Sequence, residues 1–471
     1  MSGILAMEGL RIEAADGTAL VRGVDVEARP GRPLTLLGET GSGKSLVLAA
    51  AMGGLAQGLR ASGRVMLDGT EMLAATSTAR RALWGRRLAT LPQEPWLALD
   101  PTMRALGQVA EVYRLVRGMP AAASEAEARA RLAELGLGAA AKLYPFQLSG
   151  GMAQRLALAI LRASEAPLLL ADEPTKGLDA DRRDEVGARL RAEADRGRTV
   201  VCVTHDVTIA RALGGEVAVM LDGQVVERGP AAMVLEHPSH DYTRRLLEAE
   251  PARWPPPPPR PTTCGEAAVT AEGICRSFAG RPILRGINLS VRRGEIVAVT
   301  GPSGCGKTTF GDVLLELLRP DAGVVRRLPG VASWRFGKLY QDPPSAFAPH
   351  QTMRQALGDM AHRHGLASGR IAAMLERLRL ASALLDRRPE ALSGGELQRF
   401  ALARVLALDP VFLFADEPTS RLDPVSQREV SALLGELARE RGLAVLLVTH
   451  DAALASKLGD RTVHLNAAVE G

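Results

Sequence analysis

Short apolar runs alternate with helix-like stretches along this chain of 471 residues, and they do so twice. In the first half the runs are PLTLLG, PLLLADE and TVVCVTH; in the second they are EIVAVTG, VFLFADE and LAVLLVTH. Charged stretches such as ADRRDEVGARLRAEADRG lie between them. Continuous apolar runs that end in polar residues are typical of strands buried on both faces of a parallel sheet. The pattern predicts an α/β fold whose polar strand ends meet at the edge where ligands bind in this architecture.

The two halves share five sequence blocks in the same order, which indicates an internal duplication. The first half contains GETGSGKS, LPQEPWLALDPTMR, LYPFQLSGGMAQR, LLLADEPTKGLD and VVCVTHD; the second contains GPSGCGKT, LYQDPPSAFAPHQTMR, RPEALSGGELQR, FLFADEPTSRLD and VLLVTHD. Five consecutive prolines between the halves favour an extended spacer over a helix or a central strand. We therefore predict two domains, residues 1–250 and 268–471, joined by a proline-rich linker at 251–267.

The first copy continues beyond its last shared block. In AVMLDGQVVERGP, Asp222 and Gly223 lie between two runs of alternating apolar residues, which predicts a β-hairpin. The segment HPSHDYTRRLL follows. We therefore expect the first domain to include a C-terminal extension.

Composition argues against a nucleic-acid-binding protein and against a membrane span. The net charge is +5 and aromatic residues make up 3% of the sequence, which leaves little material for base stacking. The sequence has no apolar run of about 18 residues, and its N-terminus lacks a secretory signal pattern. Only six of the 58 basic residues are lysines, yet GETGSGKS and GPSGCGKT each contain one. A compact ammonium group suits a contact with phosphate oxygens at this position.

Each glycine-rich loop follows an apolar strand pattern and precedes a helical one, which is the setting of a phosphate-binding loop. Backbone N–H groups surround the phosphates, the lysine reaches the outer phosphates, and the final hydroxyl binds Mg²⁺. The alternative is an ordinary glycine-rich turn, which the repeated setting disfavours. We predict that ATP and Mg²⁺ are the cofactors, and that the ATP-binding residues are Gly38, Gly41, Ser42, Gly43, Lys44, Ser45, Gly301, Gly304, Cys305, Gly306, Lys307, Thr308 and Thr309. Ser45 and Thr308 are also predicted metal ligands.

Two carboxylates end one apolar strand in each half. Asp172 and Asp416 are predicted to hold Mg²⁺, and Glu173 and Glu417 to polarise the attacking water. Taken alone, such a pair would be an ordinary strand terminus. Its position after a phosphate-binding loop, in both copies, favours the catalytic interpretation.

A histidine ends the next apolar strand in each copy, within the sequence THD. An isolated histidine at a strand end is usually a surface or capping residue. Because both copies agree, we predict that His205 and His450 bond the γ-phosphate as part of the catalytic group.

The sequences LSGGMAQR and LSGGELQR open a helical pattern with a serine and two glycines. Exposed N–H groups, a hydroxyl and the helix dipole together form an anion site. A simple helix N-cap is the alternative, but capping requires neither the glycine pair nor the following Gln-Arg. The predicted nucleotide-binding residues here are Ser149, Gly150, Gly151, Ser393, Gly394 and Gly395.

The combination of phosphate loop, glutamine loop, LSGGxxQR, acidic strand end and histidine resembles the ATPase subunits of ABC transporters. The resemblance covers nearly the whole chain, twice. It implies two tandem ABC ATPase domains of the P-loop NTPase class, each with a mostly parallel sheet core and an inserted helical subdomain. It also implies that each nucleotide is held by the loop of one domain and the signature of the other. Lys44 would then act with Ser393, and Lys307 with Ser149.

The same resemblance implies roles for residues outside these blocks. It assigns Mg²⁺ contacts to Gln93 and Gln341, nucleotide contacts to Asp179 and Asp423, and adenine stacking to Phe278. The first copy has Ala15 at the place of Phe278, so the resemblance implies weaker adenine stacking at the first site.

The segments QEPWLALDPTMR and HPSHDYTRRLL resemble those of oligopeptide, dipeptide and nickel importer ATPases. This resemblance implies two transmembrane permease subunits and a periplasmic substrate-binding protein as partners. It also implies a peripheral position on the cytoplasmic side of the inner membrane, and no nucleic-acid partner. One alternative is a soluble duplicated ABC ATPase that acts on ribosomes or nucleic acid; another is an accessory of an enzyme complex. The sequence leaves the transported substrate open among peptide, opine, nickel and metallophore.

Overall fold

The chain divides into two compact units, Met1–Leu247 and Glu248–Gly471. The computed structural model describes residues 5–92, 98–175, 180–255, 265–278, 280–302, 304–419 and 422–465. Both units are α/β, and each contains one largely antiparallel sheet and one mostly parallel sheet. The predicted fold class is therefore confirmed.

The first unit is built from ten strands and nine helices within the described residues. The strands are β1 (Leu5–Glu13), β2 (Ala19–Ala28), β3 (Leu34–Leu37), β4 (Arg60–Leu67), β5 (Thr70–Glu71), β6 (Leu88–Leu91), β7 (Leu168–Asp172), β8 (Thr199–Thr204), β9 (Glu216–Leu221) and β10 (Gln224–Pro230). The helices are α1 (Lys44–Met52), α2 (Ser77–Leu83), α3 (Ala105–Glu111), α4 (Ala121–Glu134), α5 (Gly150–Ser164), α6 (Ala180–Asp195), α7 (Val207–Leu213), α8 (Ala231–Glu236) and α9 (Asp241–Glu248).

The larger sheet of the first unit has the strand order β10-β9-β3-β8-β7-β6. All its neighbouring strands are parallel except β9 and β10. All of β3 and β8 and the first four residues of β7 are buried, as expected for apolar strands covered on both faces. The predicted hairpin is present: β9 and β10 are joined by Asp222 and Gly223, both with positive φ. The carboxyl ends of β3, β7 and β8 meet at one edge.

A helical segment is inserted between β6 and β7. It comprises α3, α4 and α5, which pack on one another through Val109, Leu132 and Leu156, all fully buried. α5 buries one face because its apolar residues recur at helical spacing. The inserted helical subdomain that the resemblance implied is therefore present in the first unit.

The second unit repeats this plan. Its strands are β11 (Ala267–Phe278), β12 (Arg281–Arg292), β13 (Ile296–Thr300), β14 (Ala322–Arg327), β15 (Phe336–Leu339), β16 (Phe412–Asp416), β17 (Ala444–Val448) and β18 (Arg461–His464). Its helices are α10 (Lys307–Leu314), α11 (Met353–His364), α12 (Ser368–Arg377), α13 (Gly394–Leu406), α14 (Pro424–Arg441) and α15 (Ala452–Leu458). The larger sheet has the order β15-β16-β17-β13-β18, with every pair parallel.

Part of the segment between the two copies packs in the second unit. Trp254 is 9% exposed and belongs to the same core cluster as Leu454 and Leu458 of α15. Its indole Nε1 donates to the carbonyl oxygen of Ala249 at 2.9 Å. The prolines at 256–259 lie outside the described residues, and the domain limits read from the sequence remain a proposal. In the described part of the chain, we find no helix with the length and apolar character needed to cross a bilayer.

Candidate nucleotide-hydrolysing sites

The two phosphate-loop sequences connect a central strand to a helix in both units. The first loop runs from β3 into α1, and the second from β13 into α10. Gly43 and Gly306 adopt φ of 92° and 99°, a region that glycine enters without steric cost. Lys44 Nζ donates to the carbonyl oxygens of the loop's first two residues at 2.8 and 2.7 Å. Lys307 makes the same two contacts at 2.9 Å each.

A hydroxyl and a carboxylate meet beside each loop. Ser45 Oγ donates to Asp172 Oδ1 at 3.1 Å, and Thr308 Oγ1 donates to Asp416 Oδ2 at 2.7 Å. The pKa of Asp416 is raised, chiefly because the carboxyl group is buried; the hydrogen bond from Thr308 opposes this shift, and the nearby Glu417 carboxylate adds to it. A bound cation would offset the cost of keeping this group charged.

These oxygen donors suit Mg²⁺. No group of three or more His, Cys, Asp or Glu side chains that could hold a metal ion occurs among the described residues. Mg²⁺ is commonly bound by one or two carboxylates together with substrate phosphates rather than by an all-protein cage. Paired hydroxyl and carboxylate groups beside a phosphate-binding loop fit that requirement in both units. When bound, the ion would neutralise developing phosphate charge.

In each unit, the glutamate that follows the aspartate is hydrogen-bonded to a histidine just beyond the end of the neighbouring strand, β8 or β17. His205 Nδ1 lies 2.9 Å from Glu173 Oε1, and His450 Nε2 lies 3.0 Å from Glu417 Oε1. Both glutamates adopt left-handed φ, 46° and 48°, which is uncommon for a residue with a side chain. Their backbone N–H groups donate to the neighbouring strands, to the carbonyl oxygens of Val203 and Val448 respectively, which holds this conformation in place.

The electrostatics of the first Glu–His pair favour a charged histidine. Burial of His205 acts against its protonation, but the Glu173 carboxylate, through its charge and its hydrogen bond, outweighs burial and raises the pKa of His205. Lys44 opposes that increase and Asp206 supports it. The hydrogen bond between the two side chains fixes the orientation of the Glu173 carboxylate.

The signature serines cap the helices that they precede. Ser149 Oγ accepts from Met152 N, and Ser393 Oγ accepts from Glu396 N, each at 3.3 Å. The backbone N–H of Ser393 donates to the Glu396 carboxylate at 2.8 Å, which completes a capping box. The Ser393 hydroxyl also donates to that carboxylate at 2.8 Å. The N-cap interpretation is thus realised in the structure. It does not conflict with anion binding, because the glycine pair (Gly150 and Gly151, Gly394 and Gly395) forms the first turn of each helix.

Sequence reasoning missed the role of the glutamine in each signature. Gln154 Nε2 donates to the carbonyl oxygen of Pro174 at 2.7 Å, and Gln398 Nε2 donates to Pro418 at 3.0 Å. Both glutamines are nearly buried, at 8% and 2% exposure. Each therefore ties the signature helix to the residue that follows Glu173 or Glu417. Their recurrence at the same place in both copies was a usable signal.

Phe278 ends β11 and is 45% exposed. The guanidinium of Arg276 lies 5.0 Å from its ring centroid and also pairs with Asp321 at 2.6 Å. The guanidinium thus lies over one face of the exposed ring, and the opposite face can stack on a base. The equivalent turn of the first unit contains Ala15, where the side chain offers no aromatic surface.

The remaining predicted residues have less defined surroundings. Gln341 is exposed and lies two residues beyond β15. Asp423 caps α14, with its carboxylate accepting from Ser426 N at 3.0 Å. Gln93 and Asp179 lie outside the described residues. The others lie in the two loops and the helix starts that follow them: Gly38, Gly41, Ser42, Gly301, Gly304, Cys305 and Thr309.

In each unit, a phosphate-binding loop, a hydroxyl–carboxylate pair and a Glu–His pair lie at the carboxyl ends of parallel strands. This arrangement defines a P-loop nucleotide hydrolase with two copies of its site. The family model described as ABC transporter matches residues 21–176 and 284–420, more than half of the chain. The chain therefore belongs to the ATP-binding proteins of ABC transporters, with two ATP-hydrolysing ABC domains.

Curated relatives match along the whole chain. The chain is 31% identical to an uncharacterized ABC transporter ATP-binding protein, YejF, of Escherichia coli (strain K12), over 95% of this chain and 91% of the relative. It is 32% identical to the peptidoglycan transport ATP-binding protein YejF of Agrobacterium fabrum, over 97% and 90%. It is 30% identical to the glutathione import ATP-binding protein GsiA of Escherichia coli (strain K12), over 97% and 84%.

Solved structures support the fold. The crystal structure of archaeal ribosome recycling factor aABCE1 in complex with ribosomal stalk protein aP1 matches with a TM-score of 0.66 and 20% identity. That match covers 96% of this chain and 87% of the other. At this identity the likeness concerns the tandem-domain fold and not the activity.

Proposed function

We propose that this chain is the ATPase subunit of an ABC importer for a peptide-like solute, such as a short peptide, glutathione or a peptidoglycan fragment. One observation carries the proposal: relatives named for glutathione import and for peptidoglycan transport match both halves of the chain together. The opine, nickel and metallophore alternatives differ only in cargo, which this subunit does not contact in our proposal. The partners are two transmembrane permease subunits and a periplasmic substrate-binding protein, and the chain lies peripherally on the cytoplasmic side of the membrane.

In the proposed mechanism, the loop N–H groups and Lys44 or Lys307 hold the phosphates of ATP in each unit. Glu173 or Glu417 polarises the attacking water. The neighbouring histidine orients that carboxylate and bonds the γ-phosphate. The signature helices, Gln93 and Gln341, Asp179 and Asp423, and the adenine-facing Phe278 complete the proposed set of contacts.

An exposed aromatic pair supports the permease as a partner of the first unit. Phe146 is 76% exposed and stacks on Tyr144 with a centroid separation of 5.7 Å. Arg104 lies 5.5 Å from the Tyr144 ring centroid. The pair lies in the segment between α4 and α5, in the part of the sequence where the ABC family receives the permease. A single large apolar side chain with this exposure is a suitable anchor for another protein.

Transport experiments test the proposal. The tagged chain should be recovered in membranes only when its permease genes are co-expressed. Uptake of labelled glutathione or dipeptide should require both the chain and the permeases. Phe146→Ala should lower membrane recovery and uptake several-fold while ATP hydrolysis by the isolated chain is retained. Met233→Ala is the matched control, because Met233 is 56% exposed but lies on α8. Recovery with ribosomes, independent of permeases, would overturn the importer proposal.

A further inference from the structure

The first phosphate loop donates a hydrogen bond to a part of the chain that lies 203 residues away. The backbone N–H of Glu39, the second residue of the loop, donates to the hydroxyl of Tyr242 at 2.9 Å. Tyr242 lies on α9, within the HPSHDYTRRLL segment, and is 3% exposed. The C-terminal extension of the first domain thus reaches the nucleotide loop itself.

The hairpin of the same extension makes a second contact with this loop. The N–H of Gly223 donates to the carbonyl oxygen of Ser42 at 3.3 Å. A side chain at Gly223 would meet the backbone of Leu20 at 2.5 Å, so only glycine allows this approach. Two backbone groups of the first loop, one donor and one acceptor, are therefore paired with residues of the extension.

The second loop has no need of the tyrosine contact. Its residue at the place of Glu39 is Pro302, which has no N–H to satisfy. The carbonyl oxygens at this position have the same partner in both loops. The lysine ammonium donates to the oxygen of Glu39 at 2.7 Å and to that of Pro302 at 2.9 Å. A backbone N–H that folding withdraws from water needs another hydrogen-bond partner, and the Glu39 N–H is part-buried. The first loop obtains one from Tyr242, and the second avoids the requirement by its sequence.

Packing fixes the position of the tyrosine. Its ring belongs to a core cluster that includes Leu37, the last residue of β3, and Leu246 of α9. Upstream of α9, the Glu227 carboxylate accepts from the backbone N–H groups of Ser239 and His240 at 2.7 and 3.1 Å. Partial burial opposes ionisation of Glu227, but these hydrogen bonds lower its pKa and keep it charged. The hydroxyl is therefore held where the loop N–H can reach it.

We propose that the C-terminal extension preorganises the first phosphate loop for nucleotide, and that Tyr242 is a positioning residue specific to the first ATP site. Without the Tyr242 hydroxyl, the loop relaxes in the absence of nucleotide so that the Glu39 N–H can bond to water. Binding must then restore the loop geometry, which weakens nucleotide affinity at this site. The inference concerns ATP binding and does not depend on the transported solute.

Hydrogen exchange on the full chain tests this proposal at both sites in one experiment. Peptides spanning 38–45 and 301–308 are followed while a non-hydrolysable ATP analogue and Mg²⁺ are titrated. Tyr242→Phe should raise the analogue concentration for half-protection of the first peptide by about five-fold or more, with the second peptide unchanged. Adding Glu39→Pro, which removes the N–H that the Tyr242 hydroxyl accepts from in the wild type, should restore much of the affinity.

Tyr113→Phe is the matched control. Tyr113 is also 3% exposed, and its hydroxyl accepts from Arg131 Nε at 3.5 Å in the helical subdomain, away from the loop. An unchanged midpoint for 38–45 in Tyr242→Phe would overturn the proposal. Equal shifts at both loops, or an equal shift in Tyr113→Phe, would overturn it too, because a general loss of stability would explain them. If Glu39→Pro does not fold, faster exchange of the Glu39 amide in Tyr242→Phe without nucleotide remains the expected result, and unchanged exchange contradicts it.

Discussion

Among individual side chains, His205 and Glu173 make a pH-dependent pair. Because the pKa of His205 is raised in the folded protein, the stabilisation from its protonation is complete below the ordinary histidine pKa and is lost as pH rises through the raised value. Glu173→Gln removes the charge responsible. We therefore expect the melting temperature of the variant to fall below that of the wild type by more at pH 6 than at pH 8.5, as measured by differential scanning fluorimetry.

The control for this prediction is the same substitution in a chain that already has His205→Gln. In that background the effect of Glu173→Gln should no longer depend on pH, because the titrating partner is absent. A pH-dependent difference that persists without His205 would assign the effect to another group, for example Asp206, and would contradict the pairing.

Residue identities were predictable where chemistry is local, and less so where contacts are distant. Lys44 and Ser45 could be read from a loop of eight residues. The bonds from Gln154 to Pro174 and from Glu39 to Tyr242 span 20 and 203 residues, and they form only because the sheet brings those segments together. Local periodicity carries no information about such contacts.

At the level of helices, α5 and α6 hold a buried ion pair. Arg162 Nε lies 2.9 Å from the carboxylate of Glu193, and these residues are 8% and 1% exposed. Arg196 and Arg198 also contact that carboxylate, at 2.8 and 3.0 Å. Burial lowers the pKa of Arg162, and the charge of Glu193 opposes this shift. The helices are thus joined by a charge network in place of an apolar contact.

The second unit has leucines at the equivalent places. Counting from the signature serine and from the aspartate of the LD pair, Arg162 corresponds to Leu406 and Glu193 to Leu437. Both leucines lie in one core cluster, at 2% and 3% exposure. The second unit therefore has an apolar contact between the two helices where the first unit has an ion pair. No sequence rule could have paired Arg162 with Glu193, because each is an ordinary helix residue when read alone.

This comparison yields a stability prediction. Glu193→Leu alone should destabilise the first unit by about 3–5 kcal/mol, because it leaves the buried Arg162 with only the more distant carboxylate of Glu134, at 3.5 Å. Adding Arg162→Leu should recover most of that loss, since the pair then copies the leucines of the second unit. Hydrogen exchange of peptides from α5 measures the loss of stability in Glu193→Leu and its recovery in the double variant, with peptides from α13 as the internal reference. A double variant no more stable than Glu193→Leu would contradict the prediction.

Over the whole molecule, the two units differ in length and in loop detail but keep the same chemistry at the strand ends. The duplication, the parallel sheets and the positions of both loops were predictable, because each is encoded by repeated local patterns. The asymmetry between the two units was only partly predictable. The sequence shows that Ala15 stands in the first copy where the second has Phe278, but it does not show the Tyr242 contact. Differences between the sites therefore lie around the phosphates and the base. The distance between the glutamate and the histidine is nearly equal in the two units, at 2.9 and 3.0 Å.

This near-equality predicts that both units hydrolyse ATP. The Glu–His distances are 2.9 and 3.0 Å, and the hydroxyls of Ser45 and Thr308 both donate to the neighbouring aspartates. Removing a general base typically costs about 10²–10⁴-fold at its own site. Glu173→Gln and Glu417→Gln should therefore each leave a substantial fraction of steady-state phosphate release, whereas the double variant should lose about 100-fold or more. Full turnover in Glu173→Gln together with none in Glu417→Gln would show that only the second unit is active, and the geometric equivalence of the two sites would then not extend to catalysis.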